Sequence, residues 1–135
     1  MAPRTQPRDV AVAVGVAAVV SGAPSTVHAL CTDRSSLAST RAAGTLLGRA
    51  SLPRGLAAHA ALSLSWGVVL AFLLPRRHRA GFGLLAGAGI AALDLGVVGR
   101  RILAIRALPQ LPQWCDHLVF GFVAGAVLAR REGRR

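Results

Sequence analysis

The chain has 135 residues, of which 53% are hydrophobic and only 16% are charged, and its mean hydropathy is +0.53. A soluble domain of this length would need more polar surface to cover its core, whereas lipid accepts apolar surface directly. The formal net charge is +11, and every basic residue is an arginine that lies between apolar runs. Without interleaved aromatic residues or a recognisable motif, this arrangement excludes nucleic-acid binding and favours contact with anionic lipid headgroups.

Four apolar runs predict helices that cross a bilayer, since about 20 residues span its roughly 30 Å of hydrocarbon. They cover 10–30, 56–74, 80–98 and 113–129. The first run also resembles a cleavable signal peptide, with Ser21, Gly22 and Ala23 as small residues at a cut. Pro24 directly after that point, and the apolar residues beyond it, favour a retained span that is kinked at this proline.

The segment 35–54 separates the first two spans. It carries arginines at 41, 49 and 54 among Leu37, Leu46 and Leu47. This mixture predicts a short amphipathic helix that lies on the membrane surface.

These elements predict an all-α, multi-pass protein of the cell membrane. Residues 1–135 form one membrane domain, an antiparallel bundle of four transmembrane helices with its main partner in the lipid bilayer. The tight turn at 75–79 carries three arginines, and 130–135 carries four. Because arginine close to a span marks the cytoplasmic side, we expect both termini in the cytoplasm.

Ionisable residues near the span ends predict a shared polar cluster. His28 lies near the end of the first span, His59 near the start of the second, and Asp94 near the end of the third. Asp116 and His117 lie at the start of the fourth. Because consecutive spans reverse direction, all five residues should reach the same end of the bundle, where they would handle a proton or a substrate.

Small residues predict the faces along which helices pack. At 100° per residue, Gly83, Gly87 and Ala91 share one face with Asp94, and Gly121 and Gly125 recur at a four-residue spacing in the last span. Such faces let helix backbones approach closely. Four spans enclose little interior, so a homo-oligomer or a partner membrane subunit is also plausible.

The two cysteines, Cys31 and Cys115, fall at the same end as the polar cluster. They could form a disulfide between the first and fourth spans if that end faces an oxidising compartment. With His28 and His117 they also provide metal-ligand types, although their spacing matches no standard metal signature. We expect neither a metal nor another cofactor.

The sequence leaves three functions open. The first is a non-enzymatic accessory or structural membrane subunit, with the polar residues pairing or capping helix ends. The second is a small proton-coupled transporter or permeability element that uses Asp94 and the histidines of the cluster. The third is a membrane-embedded enzyme or a redox or metal protein that uses the cysteine end. No catalytic residues are predicted, and the first function is the expected one.

Overall fold

A computed structural model describes residues 5–134, and in this part of the chain all regular structure is helical. Seven α-helices follow one another, joined by short turns. They are α1 (Pro7–Val20), α2 (Ala23–Cys31), α3 (Ala38–Ala43), α4 (Leu52–Leu73), α5 (Arg79–Leu93), α6 (Leu103–Arg106) and α7 (Gln110–Glu132). A 3-10 turn follows α3, and a π-helical turn, Asp94–Val98, continues α5 into a 3-10 turn at Gly99–Arg101.

Four helical segments are long and apolar enough to cross a membrane, as the sequence predicts. They are Pro7–Cys31, Leu52–Leu73, Arg79–Arg101 and Gln110–Glu132. The last is longer than its apolar run, because its helix begins at Gln110 and continues past Ala129 to Glu132. Its first turn therefore brings polar side chains onto the same helix as the apolar span.

The first segment is broken in the middle. The helix α1 ends at Val20, and α2 begins at Ala23 with Pro24 in its first turn. Proline fits the first turn of a helix because it has no N–H to donate there. At the kink expected at Pro24 the helix gives way to a turn at Ser21 and Gly22, which keep right-handed dihedral angles. The carbonyl of Ala18 and the N–H of Ser25, on either side of this turn, bind side chains.

The helices α5 and α7 form the tightest pair in the molecule. A Cβ added to Gly83 would collide with the Gly121 carbonyl, and one added to Gly87 would collide with the His117 carbonyl. Gly125 meets the backbone of Arg79 in the same way. The predicted packing glycines therefore lie where two backbones touch.

The segment between the first two spans folds over one end of the molecule. Only Ala38–Ala43 is α-helical, followed by a 3-10 turn at Gly44–Leu47, so the single amphipathic helix predicted over 35–54 is not formed. Its last residues instead begin α4 at Leu52. Ala42 is buried with Ala91, Leu95 and Ile105, so this segment packs on the bundle as well as facing outwards.

The opposite end is closed by apolar packing and by ion pairs. Ala17, Leu70, Leu74, Phe120 and Ala124 belong to one buried cluster. Beyond this cluster, two ion pairs tie the chain together: Arg79 Nη1 lies 3.1 Å from Glu132 Oε1, and Arg131 Nε lies 3.8 Å from Asp9 Oδ1. The structure therefore has one tightly packed end and one end with room inside.

Candidate functional site

A cavity of about 300 Å³ lies at the end covered by α3. Side chains from the break between α1 and α2, from α3, α4 and α7, and from the end of α5 line it. The surface of the cavity is mainly apolar, and the side chains with polar groups that reach it are Ser21, Ser25, Thr26, Ser36, Ser39, Thr40, His59, Ser63, Trp66, Asp94, Gln113, Asp116 and His117. Pockets of this size hold small organic molecules.

An acid–imidazole pair lies on the wall of the cavity. Asp94 Oδ2 is 3.5 Å from His117 Nε2 and accepts a hydrogen bond of 3.0 Å from the indole N–H of Trp66. The three side chains come from α5, α7 and α4. They lie close because glycines let α5 and α7 approach each other, with Gly87 directly against the backbone carbonyl of His117.

The second ring nitrogen of His117 fixes the state of the imidazole. Its Nδ1 lies 2.8 Å from the backbone carbonyl of Gln113. Since a carbonyl oxygen only accepts, Nδ1 must carry a proton. When the pair holds one mobile proton, Nε2 either donates to the Asp94 carboxylate as imidazolium or accepts from a protonated carboxyl group. When that proton has left, a neutral imidazole faces an ionised carboxylate.

Asp94 is only partly engaged by the protein. Both partners, Trp66 and His117, contact Oδ2, and no hydrogen bond to Oδ1 is found within residues 5–134. The side chain is 20% exposed and lines the cavity. It begins the π-helical turn at the end of α5, a geometry that is frequent at functional sites. One carboxylate oxygen thus remains available to a ligand.

The other two predicted groups in the cavity hold the broken helix. Asp116 Oδ1 accepts a 2.9 Å hydrogen bond from the backbone N–H of Ser25, in the first turn of α2. His59 Nε2 lies 3.0 Å from the carbonyl of Ala18, in the last turn of α1, so that nitrogen donates. Each side chain supplies a partner to a backbone group freed by the break, as a helix cap does.

Gln113 joins the cover of the cavity to the bundle. It is 8% exposed, and its Nε2 donates a 2.8 Å hydrogen bond to the hydroxyl of Ser39 in α3. Two of these roles, the donor role of Trp66 to Asp94 and the link from Gln113 to the cover, are not among the sequence predictions. The helical spacing of His59, Ser63 and Trp66 on α4 places Trp66 on the same face as a predicted residue of the cluster. Nothing in the sequence distinguishes Gln113.

The structure does not gather all the predicted residues. His28 lies at the same end but lines a neighbouring cavity, together with Arg34, and not the cavity of the acid–imidazole pair. Cys31 and Cys115 are free thiols, exposed and half-buried respectively, so the candidate disulfide is not formed in the structure. Within residues 5–134 no group of three or more His, Cys, Asp or Glu side chains could hold a metal ion. The weak ligand set of His28, Cys31, Cys115 and His117 is therefore not assembled.

The fold and the site together define a helical protein with four segments able to cross a membrane and, at one end, a largely apolar cavity that contains an acid–imidazole pair. Comparison of the chain with protein-family models, with curated proteins and with solved structures gave no match.

Proposed function

We propose that the chain is an antiparallel bundle of four transmembrane helices in the cell membrane. The contact register supports opposite directions for α5 and α7, since Gly83 approaches Gly121 whereas Gly87 approaches His117. Large apolar side chains on the outside support contact with lipid: Phe72 is 85% exposed and Leu85 is 68% exposed. In water such surfaces would favour aggregation, whereas lipid covers them.

The arginine distribution supports an orientation with both termini in the cytoplasm and the cavity end outside. Cys31 tests this orientation because its thiol is exposed at the cavity end. A membrane-impermeant maleimide should label intact cells at Cys31, and Cys31→Ser should abolish the rapid labelling. Labelling only after the membrane is opened would reverse the orientation.

We propose further that the protein binds a small molecule in the cavity and exchanges it for a proton at the Asp94–His117 pair, as a small proton-coupled transporter or permeability element. One observation carries this proposal: the pair faces a cavity of about 300 Å³ and leaves Asp94 Oδ1 available. Ionisable groups inside a membrane span are costly and mark ion or substrate pathways. If the pair served only to stabilise the bundle, hydrogen bonds to both carboxylate oxygens of Asp94 would stabilise it more than bonds to one.

Proton flux in vesicles tests the proposal. The purified protein is reconstituted with a pH-sensitive dye inside, and a pH gradient with a potassium diffusion potential drives protons across. We expect Asp94→Asn to reduce the flux at least about tenfold, because a neutral amide cannot share the proton with His117.

Asp33→Asn is the matched control, since Asp33 is exposed and does not line the cavity. It also has a positive φ of 52°, a conformation that asparagine tolerates. Flux in Asp33→Asn should equal that of the wild type. Equal, measurable flux in Asp94→Asn and wild type would refute the role of Asp94 in moving protons, and no flux in either would refute a permeability element that conducts protons by itself.

An accessory or structural membrane subunit is the second candidate, and the outer face of α5 favours it. A Cβ added to Gly81 or Gly89 would meet nothing within 4 Å, so these glycines leave a smooth surface that another helix could approach. Crosslinking in native membranes tests this function. Products containing only the monomer would count against it.

A further inference from the structure

We infer that the ligand of the cavity is a small amphipathic organic cation, with an apolar body and a charged nitrogen directed at Asp94. This inference rests on the proposed function and names the class of molecule that the same cavity takes.

The charge of the lining favours a cation. Among the described residues around the cavity there are two carboxylates, Asp94 and Asp116, and no arginine. This contrasts with a chain whose formal net charge is +11. With His117 protonated the cavity keeps one uncompensated negative charge, and with His117 neutral it has two. An anion would meet repulsion without a guanidinium to bind it.

Trp66 places an aromatic side chain against the same carboxylate. Its indole N–H donates to Asp94 Oδ2 over 3.0 Å, so the edge of the ring is directed at the carboxylate and occupies that oxygen. Oδ1 is therefore the oxygen that a charged nitrogen would meet, and Trp66 is a fluorescent reporter beside it.

The cavity provides an apolar surface for the body of the ligand and a path by which the ligand enters. Ile90, Leu95, Ile105 and Phe120 line the inner part of the cavity. On the outer side Leu62 of α4 and Val98 after α5 line the cavity and are also 37% and 44% exposed on the surface. The helix α4 makes few contacts with α5, so a lipid-soluble molecule enters between these two helices.

Exchange for a proton follows from the same groups. The cation donates to or lies against Asp94 Oδ1, and the proton on Nε2 of His117 leaves to water, so the charge of the site is conserved. The other titratable groups facing the cavity are Asp116 and His59, both engaged with the backbone of the broken helix. In the neighbouring cavity lie His28 and Arg34. A permanently charged ligand should therefore bind more tightly as pH rises and His117 loses its proton.

The experiment compares three probes of similar shape and different charge. They are benzyltrimethylammonium, its neutral isostere neopentylbenzene, in which carbon replaces the charged nitrogen, and the anion phenylmethanesulfonate. Binding to the whole protein is measured by equilibrium dialysis, with protein-free micelles to correct for partition into detergent. In a Trp114→Phe variant the only remaining tryptophan is Trp66, and its fluorescence reports occupancy of the cavity.

We expect the cation to bind at least about tenfold more tightly than the neutral isostere, a ratio within reach of a partly desolvated carboxylate. The ratio should fall towards one in Asp94→Asn, persist in Asp94→Glu and stay unchanged in Asp33→Asn. Trp66 fluorescence should change at the same concentration of cation.

Two results would overturn the inference in different ways. If the neutral isostere or the anion binds as tightly as the cation and changes Trp66 fluorescence, the cavity binds small molecules but the cation class is wrong. If no probe binds and Asp94→Asn leaves proton flux unchanged, the proposed function fails together with the inference. If Asp94→Asn does not fold, the inference is still tested, because the three probes are compared on the wild-type protein.

Discussion

Alanine at Gly83 should loosen the contact between α5 and α7, whereas alanine at Gly81, two residues away on the same helix, should not. A Cβ on Gly83 would lie 2.9 Å from the carbonyl carbon of Gly121 and nearer still to its oxygen. A Cβ on Gly81 would meet nothing within 4 Å. The two variants have the same composition and the same added methyl group, so they differ only in what that group touches.

The magnitude follows from two opposing effects. Restoring ordinary contact at Gly83 requires the two backbones to separate by about 1 Å, and forcing extra volume into a packed contact costs about 1–3 kcal/mol. Replacing a helical glycine by alanine raises the free energy of unfolding by about 0.5–1 kcal/mol in either variant, because alanine loses less conformational entropy on folding. Gly81→Ala should therefore be slightly more stable than wild type, and Gly83→Ala less stable than Gly81→Ala by about 1–3 kcal/mol.

Equilibrium unfolding with sodium dodecyl sulfate in mixed micelles, followed by circular dichroism, measures the difference. Flux through reconstituted Gly83→Ala provides a second measurement, because separation of α5 from α7 would also lengthen the distance from Asp94 to His117. Equal free energies of unfolding for the two alanine variants would refute the close approach of the backbones, and with it the basis for the acid–imidazole pair.

Three further changes test the polar contacts. Glu132→Gln should lower the free energy of unfolding by about 3 kcal/mol, because Arg79, 3% exposed, loses its charged partner; an unchanged unfolding curve would contradict this. Asp116→Ala should cost about 1–3 kcal/mol by leaving the Ser25 N–H without its acceptor, and Asp116→Asn, which keeps an acceptor, should cost less in the same titration. Trp66→Phe should cost about 1–2 kcal/mol and also reduce proton flux, since the ring stays but the donor to the carboxylate is lost; lower stability with unchanged flux would argue against an anchoring role.

The sequence was sufficient to predict the four membrane-compatible helices, because apolar length is a local property of the chain. It also predicted that His59, Asp94, Asp116 and His117 should come together, since alternation of direction needs only the number of spans. All four line one cavity. The sequence does not predict that Asp94 pairs with His117 and not with His59. This choice depends on the close approach of α5 to α7. The spacing of the glycines indicates that α5 approaches another helix, but it does not say which one.

His28 reaches the same end as the other four residues but not the same cavity. The number of spans predicts the end, and the alignment of Ser21, Pro24 and His28 at 100° per residue would also predict a common face. In the structure Ser25 lines both this cavity and the neighbouring one, whereas His28 lines only the neighbouring one. A proline alone does not say whether a helix bends or ends, because the answer depends on partners for the freed backbone groups.

The partners of the freed backbone groups distinguish polar residues with a structural role, His59 and Asp116, from Asp94, which has an oxygen open to the cavity. Within a bilayer every backbone N–H and C=O needs an internal partner, and a broken span persists only where side chains supply it. His59 supplies the donor to the Ala18 carbonyl and Asp116 the acceptor for the Ser25 N–H, so the break accounts for both. It does not account for Asp94, which contacts no freed backbone group and whose two partners share a single oxygen. Asp94 is therefore the carboxylate of this cavity whose position the break does not explain, and its second oxygen is open to the cavity.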